Sequence, residues 1–217
     1  MLYSRQESLL VHPKRHATVI RIRTGATKDG KLTAVEATLY GDGGAYASLS
    51  EKVLTRATTH AAGPYDVPNV RVDCFAMYTN NAPSGAFRGF GVTQSCFAVE
   101  SNMDMLAGKL GLDPVEFRRI NALDVGSVTS TGQVLRESVG LIECIDRVDR
   151  DMRSDDFRWT WDEGDRRFAW GLAVGYKNTG LGGGAPDRAS ADVDVWRDAA
   201  GTVSAEVRTS SAEMGQG

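Results

Sequence analysis

Histidine and cysteine are scarce in this chain, with three of each among 217 residues. Cys74, Cys96 and Cys144 are odd in number and widely spaced, which excludes an iron–sulfur or zinc site built on a local cysteine cluster. His12, His16 and His60 fall into no metal-ligand pattern, so no protein-ligated metal is indicated, and any metal has to arrive inside a cofactor. No apolar run reaches the roughly 20 residues that a membrane helix needs. Residues 1–7 lack the apolar core of a secretion signal, which makes the cytoplasm the default compartment. Positive charge is not in excess either. A formal net charge of -3 argues against general attraction to nucleic acid.

What is present is an ordinary globular composition, 41% hydrophobic and 24% charged, in a chain long enough to bury a core as one large domain or two small ones. Residues 18–23 and 32–39 alternate apolar and polar positions around Asp29-Gly30, which predicts a hairpin. Its buried side would be Val19, Ile20 and Ile22 with Leu32, Val35 and Leu39. Residues 40–47, glycine-rich, read as a turn or bulge after that strand. Residues 51–62 read as a helix stopped by Gly63-Pro64, and 70–78 as a strand. A helix follows from Thr93, with Cys96, Val99, Met103, Leu106 and Leu110 on one stripe and Gly111 at its end. Asp113-Pro114-Val115-Glu116 starts another, with a cap, a first-position proline and a reciprocal glutamate, and Phe117, Ile120 and Leu123 on its buried side. Residues 140–152 form a further helix, carrying Leu141, Ile142, Cys144, Ile145 and Val148. The charge-dense stretch 153–167 marks a boundary, after which 168–176, 191–196 and 203–207 read as strands. Residues 1–15 show no clear cap or period. The glycine run within 177–187 lacks a Gly-Lys-Ser/Thr end and an evident following helix, so it is no nucleotide-phosphate loop.

Between the 70–78 strand and the Thr93 helix lies Asn80-Asn81-Ala82-Pro83-Ser84-Gly85-Ala86-Phe87-Arg88-Gly89-Phe90-Gly91. Its glycines leave backbone N–H groups uncovered, Arg88 offers a fixed fork of donors, and the phenyl rings offer flat apolar walls. The following helix would aim its positive end at the same place. Such a loop suits something flat and anionic. On spacing alone it reads first as an ordinary glycine-rich strand-to-helix turn.

The segment from Ala82 through Gln94 closely resembles the Ala-Phe-Arg-Gly-Phe-Gly-x-x-Gln loop of the molybdenum hydroxylases, the xanthine dehydrogenase and aldehyde oxidase family. Asp42-Gly43-Gly44-Ala45-Tyr46 and the stretch from Leu112 to Leu123 resemble two further segments of that family. So do Thr131-Gly132-Gln133-Val134-Leu135 and the segment from Glu7 to His16. The terminal Glu213-Met214-Gly215-Gln216-Gly217 is similar to a loop that touches the pterin there. Residues 92–97 and 177–180 look most like bacterial xanthine dehydrogenase-type subunits.

The resemblance implies an α+β fold of mixed sheets with packed helices. Residues 1–155 would be a first molybdopterin-binding subdomain lacking its N-terminal part, and 156–217 the start of a second. It implies molybdopterin-bound molybdenum as cofactor, with iron–sulfur and FAD centres on partner domains or subunits. The reaction implied is hydroxylation of an electron-poor carbon, as in a purine, with oxygen from water. Phe90 would stack on the substrate ring, and Arg56, placed by its distance from Pro64-Tyr65-Asp66-Val67-Pro68, would stabilise charge building on the heterocycle. Arg88, Gly89, Phe90, Met214, Gly215 and Gln216 would contact the cofactor. The family's catalytic glutamate has no counterpart in this chain, nor have its upstream cofactor loops. The chain therefore reads as part of a larger subunit, inactive alone and in need of the remainder of that subunit. One chain of a split molybdopterin subunit, acting on another heterocycle, an aldehyde or an aryl thioester, and a non-catalytic interaction module both stay open.

Overall fold

The computed structural model describes residues 2–153, 157–180, 186 and 188–211. They fall into two compact units, residues 1–176 and 177–217. The first is organised on a three-stranded mixed sheet, order β1-β2-β3, formed by Thr18–Ala26, Leu32–Gly44 and Val70–Tyr78. β1 and β2 pair antiparallel from Thr18↔Gly41 to Ala26↔Leu32. Their turn closes through Thr27, whose carbonyl accepts from the Gly30 N–H at 3.0 Å. Gly30 has φ +88°, and a Cβ there would lie 2.5 Å from Leu112. β2 and β3 run parallel, so they need a crossover, and helix α2 (Ser50–Thr59) supplies it. The glycines that end β2 carry a register shift between Asp42 and Gly44, the bulge expected of this stretch.

One sheet face is buried. Ala37 and Leu39 pack on Ala57 and Ala61 beside α2, while Leu32 and Val35 meet Val99, Met103 and Ala107 of α3 (Val92–Leu110). The periodicity of α3 places its stripe correctly, and Gly111 ends it at φ 69°. Val19 does not join this core. It is 62% exposed, because strand alternation turns it to the opposite face from Ile20 and Ile22. There it pairs with Tyr40, which stacks on Phe75 at 5.3 Å.

α4 (Pro114–Asn121) is capped by Asp113, whose carboxylate accepts from the Val115 and Glu116 N–H groups. The reciprocal arm expected of Glu116 is replaced, since that carboxylate takes Arg119 instead. α4 delivers two buried polar side chains. Asn121 accepts from Leu32 N and donates to Gly30 O and Phe117 O, tying the hairpin to the helix. Arg118 is fully buried and donates through Nε to Glu100 at 2.9 Å, while the Tyr65 hydroxyl donates to the other oxygen of the same carboxylate at 2.6 Å. Burial first, then the Glu100 charge, pushes the Tyr65 hydroxyl far above its ordinary pKa. A charge pair so fully hydrogen-bonded fixes how α3 and α4 meet more than it adds net stability.

α5 (Leu141–Met152) buries Ile145 and Met152 against Val115 and Ala122, whereas Cys144 and Val148 stay exposed. Phe157, Trp159, Leu172 and Val174 pack on the same cluster, which carries the first unit on past residue 155 to Tyr176. The strand expected over 168–176 is shorter. β4 (Thr160–Glu163) pairs with β5 (Arg166–Ala169), and residues 170–176 join no ladder. At the other end, residues 5–11 form the helix α1 (Arg5–Val11), started by a reciprocal capping box between Ser4 and Glu7. Within the second unit, β6 (Ala191–Arg197) and β7 (Val203–Thr209) form a hairpin across the expected Asp198–Gly201 turn.

Candidate functional site

The Arg88–Gly91 turn hangs between the C-terminal end of β3 and the start of α3. Gly89 and Gly91 have φ +89° and +99°, and Phe90 between them is held at +48°. A phenylalanine there is strained, by about 1–3 kcal/mol, and such strain clusters at ligand sites. Gly91 is buried against the backbone of α2, where a Cβ would stand 2.1 Å from the Val53 carbonyl and 2.9 Å from the Ala57 nitrogen. That approach puts the helical turn carrying Arg56 directly beside the residue that follows Phe90. Arg56 is half-buried there, and its carbonyl lies 2.9 Å from Nδ1 of His60.

Arg88 projects an exposed side chain, and Phe90 is half-buried. α3 begins at Gly91 with no side chain capping its first N–H groups. Residues 82–94 include no carboxylate. An exposed guanidinium and a helix start without a side-chain cap suit an oxo-rich anionic group, while the Phe90 and Val92 N–H groups are already taken by Phe87 O and Gly89 O. The residues present therefore fit the pterin cofactor that the loop resemblance implies. Among the described residues no cluster of His, Cys, Asp and Glu has metal-holding geometry. Met214, Gly215 and Gln216 lie outside the described residues.

The structure adds a third segment to the site. Arg15 donates through Nη2 to the Arg88 carbonyl at 2.7 Å and through Nη1 to Thr93 Oγ1 at 2.5 Å, and its Cζ lies 4.5 Å above the Phe87 ring centroid. Next to it His16 is buried, with Nε2 2.7 Å from Ser50 Oγ at the start of α2. Among the described residues, His16 Nδ1 has no hydrogen-bond partner. Nothing in local spacing marks Arg15, because its acceptors lie 73 and 78 residues away in the chain. An open groove of about 550 Å³ runs beside this segment between β1 and α3, lined by Arg15, Ile20, Ile22, Thr93, Gln94 and Phe97 among others.

The Molybdopterin cofactor-binding domain family matches residues 1–122. The chain belongs to the molybdenum hydroxylases. It is 54% identical over 148 residues to the nicotinate dehydrogenase large molybdopterin subunit of Eubacterium barkeri, covering 68% of this chain and 35% of that protein. It is 33% identical over 223 aligned positions to the xanthine dehydrogenase of Blastobotrys adeninivorans, covering 100% of this chain and 16% of the relative. The aldehyde oxidoreductase of Desulfovibrio desulfuricans superposes with a TM-score of 0.68 at 28% identity, over 89% of this chain and 21% of that structure. The chain thus spans about a third or less of each of these proteins. No described helix is long and apolar enough to cross a membrane.

Proposed function

We propose that this chain supplies one wall of the active site of a cytoplasmic molybdenum hydroxylase that oxidises a nitrogen heterocycle. The observation that carries the reading is the seating of Gly91 on the Val53–Ala57 turn of α2. It brings the strained Phe90 turn and the Arg56 helix to one place. Phe90 offers its ring to a flat substrate, and Arg56 offers a guanidinium to charge that develops on the heterocycle, an electrostatic role that lowers the barrier only where charge appears. Arg88 and Gly89 face the cofactor, and Met214, Gly215 and Gln216, which lie outside the described residues, are cofactor contacts on the family resemblance alone. Bound molybdopterin supplies the redox chemistry, with oxygen taken from water and electrons passed to iron–sulfur and FAD centres on partner domains or subunits. On the family resemblance, residues 1–155 are assigned to the first molybdopterin-binding subdomain and 156–217 to the second, although residues 157–176 pack with the first compact unit. The remainder of the subunit contributes the catalytic glutamate.

Purines are the first substrate class. A pyridine carboxylate is the second, favoured by the higher identity to the nicotinate enzyme than to the xanthine one. The test is steady-state kinetics of the full-length subunit with its partners on a purine, nicotinate and an aromatic aldehyde. Arg56→Met should lower kcat on the heterocycle about a hundredfold or more, the loss typical of removing one preorganised charge-stabilising donor. An aldehyde as the preferred substrate, with Arg56→Met neutral, would refute the heterocycle reading.

A further inference from the structure

Three strands of hydrogen bonding leave the short segment 14–16. Lys14 pairs with the loop on the chain side of Arg88, since its N–H donates to Pro83 O at 3.2 Å and its carbonyl accepts from Gly85 N at 2.9 Å. Arg15 bridges Arg88 O and Thr93 Oγ1, the two sides of the Gly89-Phe90-Gly91 turn, and covers Phe87. His16 holds Ser50, the first residue of the helix that bears Arg56. One tripeptide thus touches both shoulders of the turn and the start of the neighbouring helix.

The placement of Arg15 is not what stability alone would choose. Its guanidinium sits on Thr93 in the first turn of α3, where the helix dipole disfavours a cation. Arg88 adds a second guanidinium nearby in sequence, with no side-chain cap at the helix start to offset either. Gathering positive charge there costs the folded chain and serves an anion. The fork geometry also matters, because a planar guanidinium holds its two acceptors in one fixed orientation, whereas an ammonium is a point charge with freely rotating donors.

We propose that Arg15 is a positioning residue that locks the strained Arg88-Gly89-Phe90 turn in its ligand-facing geometry. It acts through Arg88 O and Thr93 and need not touch substrate. The proposal rests on the hydroxylase reading for its purpose, and on the contacts above for its existence.

Amide hydrogen exchange on the full-length subunit, prepared without molybdenum, tests the lock without any cofactor. Arg15→Met keeps an unbranched apolar side chain and deletes both donors together with the guanidinium over Phe87. It should speed exchange at residues 88–93 by about tenfold or more, with the β1–β2 amides unchanged. Arg15→Lys should recover part of the protection. Thr93→Val, which deletes one acceptor and leaves Arg15 in place, should give a smaller rise at the same amides. Equal exchange at 88–93 in wild type and Arg15→Met overturns the proposal, as does an equal rise in the hairpin, which would report general loosening. In the full-length subunit, Arg15→Met should also lower molybdenum content or kcat, with partial rescue by lysine. A wild-type subunit free of molybdenum would sink the hydroxylase reading, whereas the exchange result decides the lock by itself.

Discussion

At the scale of single residues, His16 is the group whose chemistry is most exposed to pH. Burial holds its pKa below the ordinary histidine value near 6.5, against a smaller pull from Asp42 in the opposite direction. The neutral ring accepts or donates at Ser50, and Nδ1 finds no partner among the described residues. The unfolded chain takes up a proton at its ordinary pKa, and the folded chain resists until the pH falls further. Stability conferred by this site is therefore complete above about pH 6.5 and drains away as pH drops from there toward the folded value. His16→Gln, which can still reach Ser50, should flatten the stability profile in that window. Urea denaturation at about pH 7.5, 6.5 and 5.5 would show it, and equal slopes for both proteins would remove His16 as the cause. Sequence alone treats this histidine as an isolated singleton. Its burial depends on Ser50, which lies 34 residues along the chain, and no local pattern carries that information. Glu100 is a contrasting case. It falls between Val99 and Met103 on the buried stripe of α3, so a charged residue on an apolar face already asks for a partner, and Arg118 is the answer.

At the scale of elements, most of the architecture was readable because each element carries its own signal. The hairpin has alternation and Asp-Gly, α3 has a 3.6-residue stripe ended by glycine, and α4 has Asp-Pro at its start. The 70–78 strand matches β3 end to end. α1 escaped despite its Ser4-x-x-Glu7 box, since none of its residues is buried and no apolar stripe supports it. Residues 170–176 alternate like a strand, yet Leu172 and Val174 spend their apolar side chains on the α5 cluster and the Val174 N–H on Glu100. The packing of α2 on the Arg88–Gly91 turn was unreadable for a simpler reason. A glycine looks the same in sequence whether it relieves a turn or admits a backbone. Gly91 does both. Gly91→Ala combines a φ of +99° with a 2.1 Å approach to the Val53 carbonyl, neither of which a flexible side chain can relieve. It should destabilise the first unit by about 3 kcal/mol, whereas Gly132→Ala, with a φ of +84° and open space around it, should cost about 1. Thermal denaturation of both variants separates the contact from the dihedral. Equal losses would mean that α2 gives way and that Arg56 is not held where the site needs it.

At the scale of the whole molecule, apolar surface is left without cover in each unit taken by itself. In the first, Val19, Tyr40 and Phe75 form a cross-strand row on the bare sheet face, and Phe97, 78% exposed, stands in the groove beside α3. In the second, Val193, Val195, Val203 and Val207 lie on one face of a two-stranded hairpin, all exposed. A lone hairpin is marginally stable at best in water, and an alternating valine face specifies a register only when something buries it. The matched segment fills only 35% of the nicotinate dehydrogenase subunit and 16% of the Blastobotrys adeninivorans xanthine dehydrogenase, so most of each relative lies outside it. Expressed by itself, the 217-residue chain should therefore bind an apolar dye strongly and register in light scattering well above its 23.4 kDa mass, and co-expression with the complementary part of a molybdopterin subunit should suppress both. A monodisperse, dye-silent monomer would argue the other way. It would mean that these faces are tolerated in water, and it would favour an interaction module that keeps the fold over one wall of a larger active site.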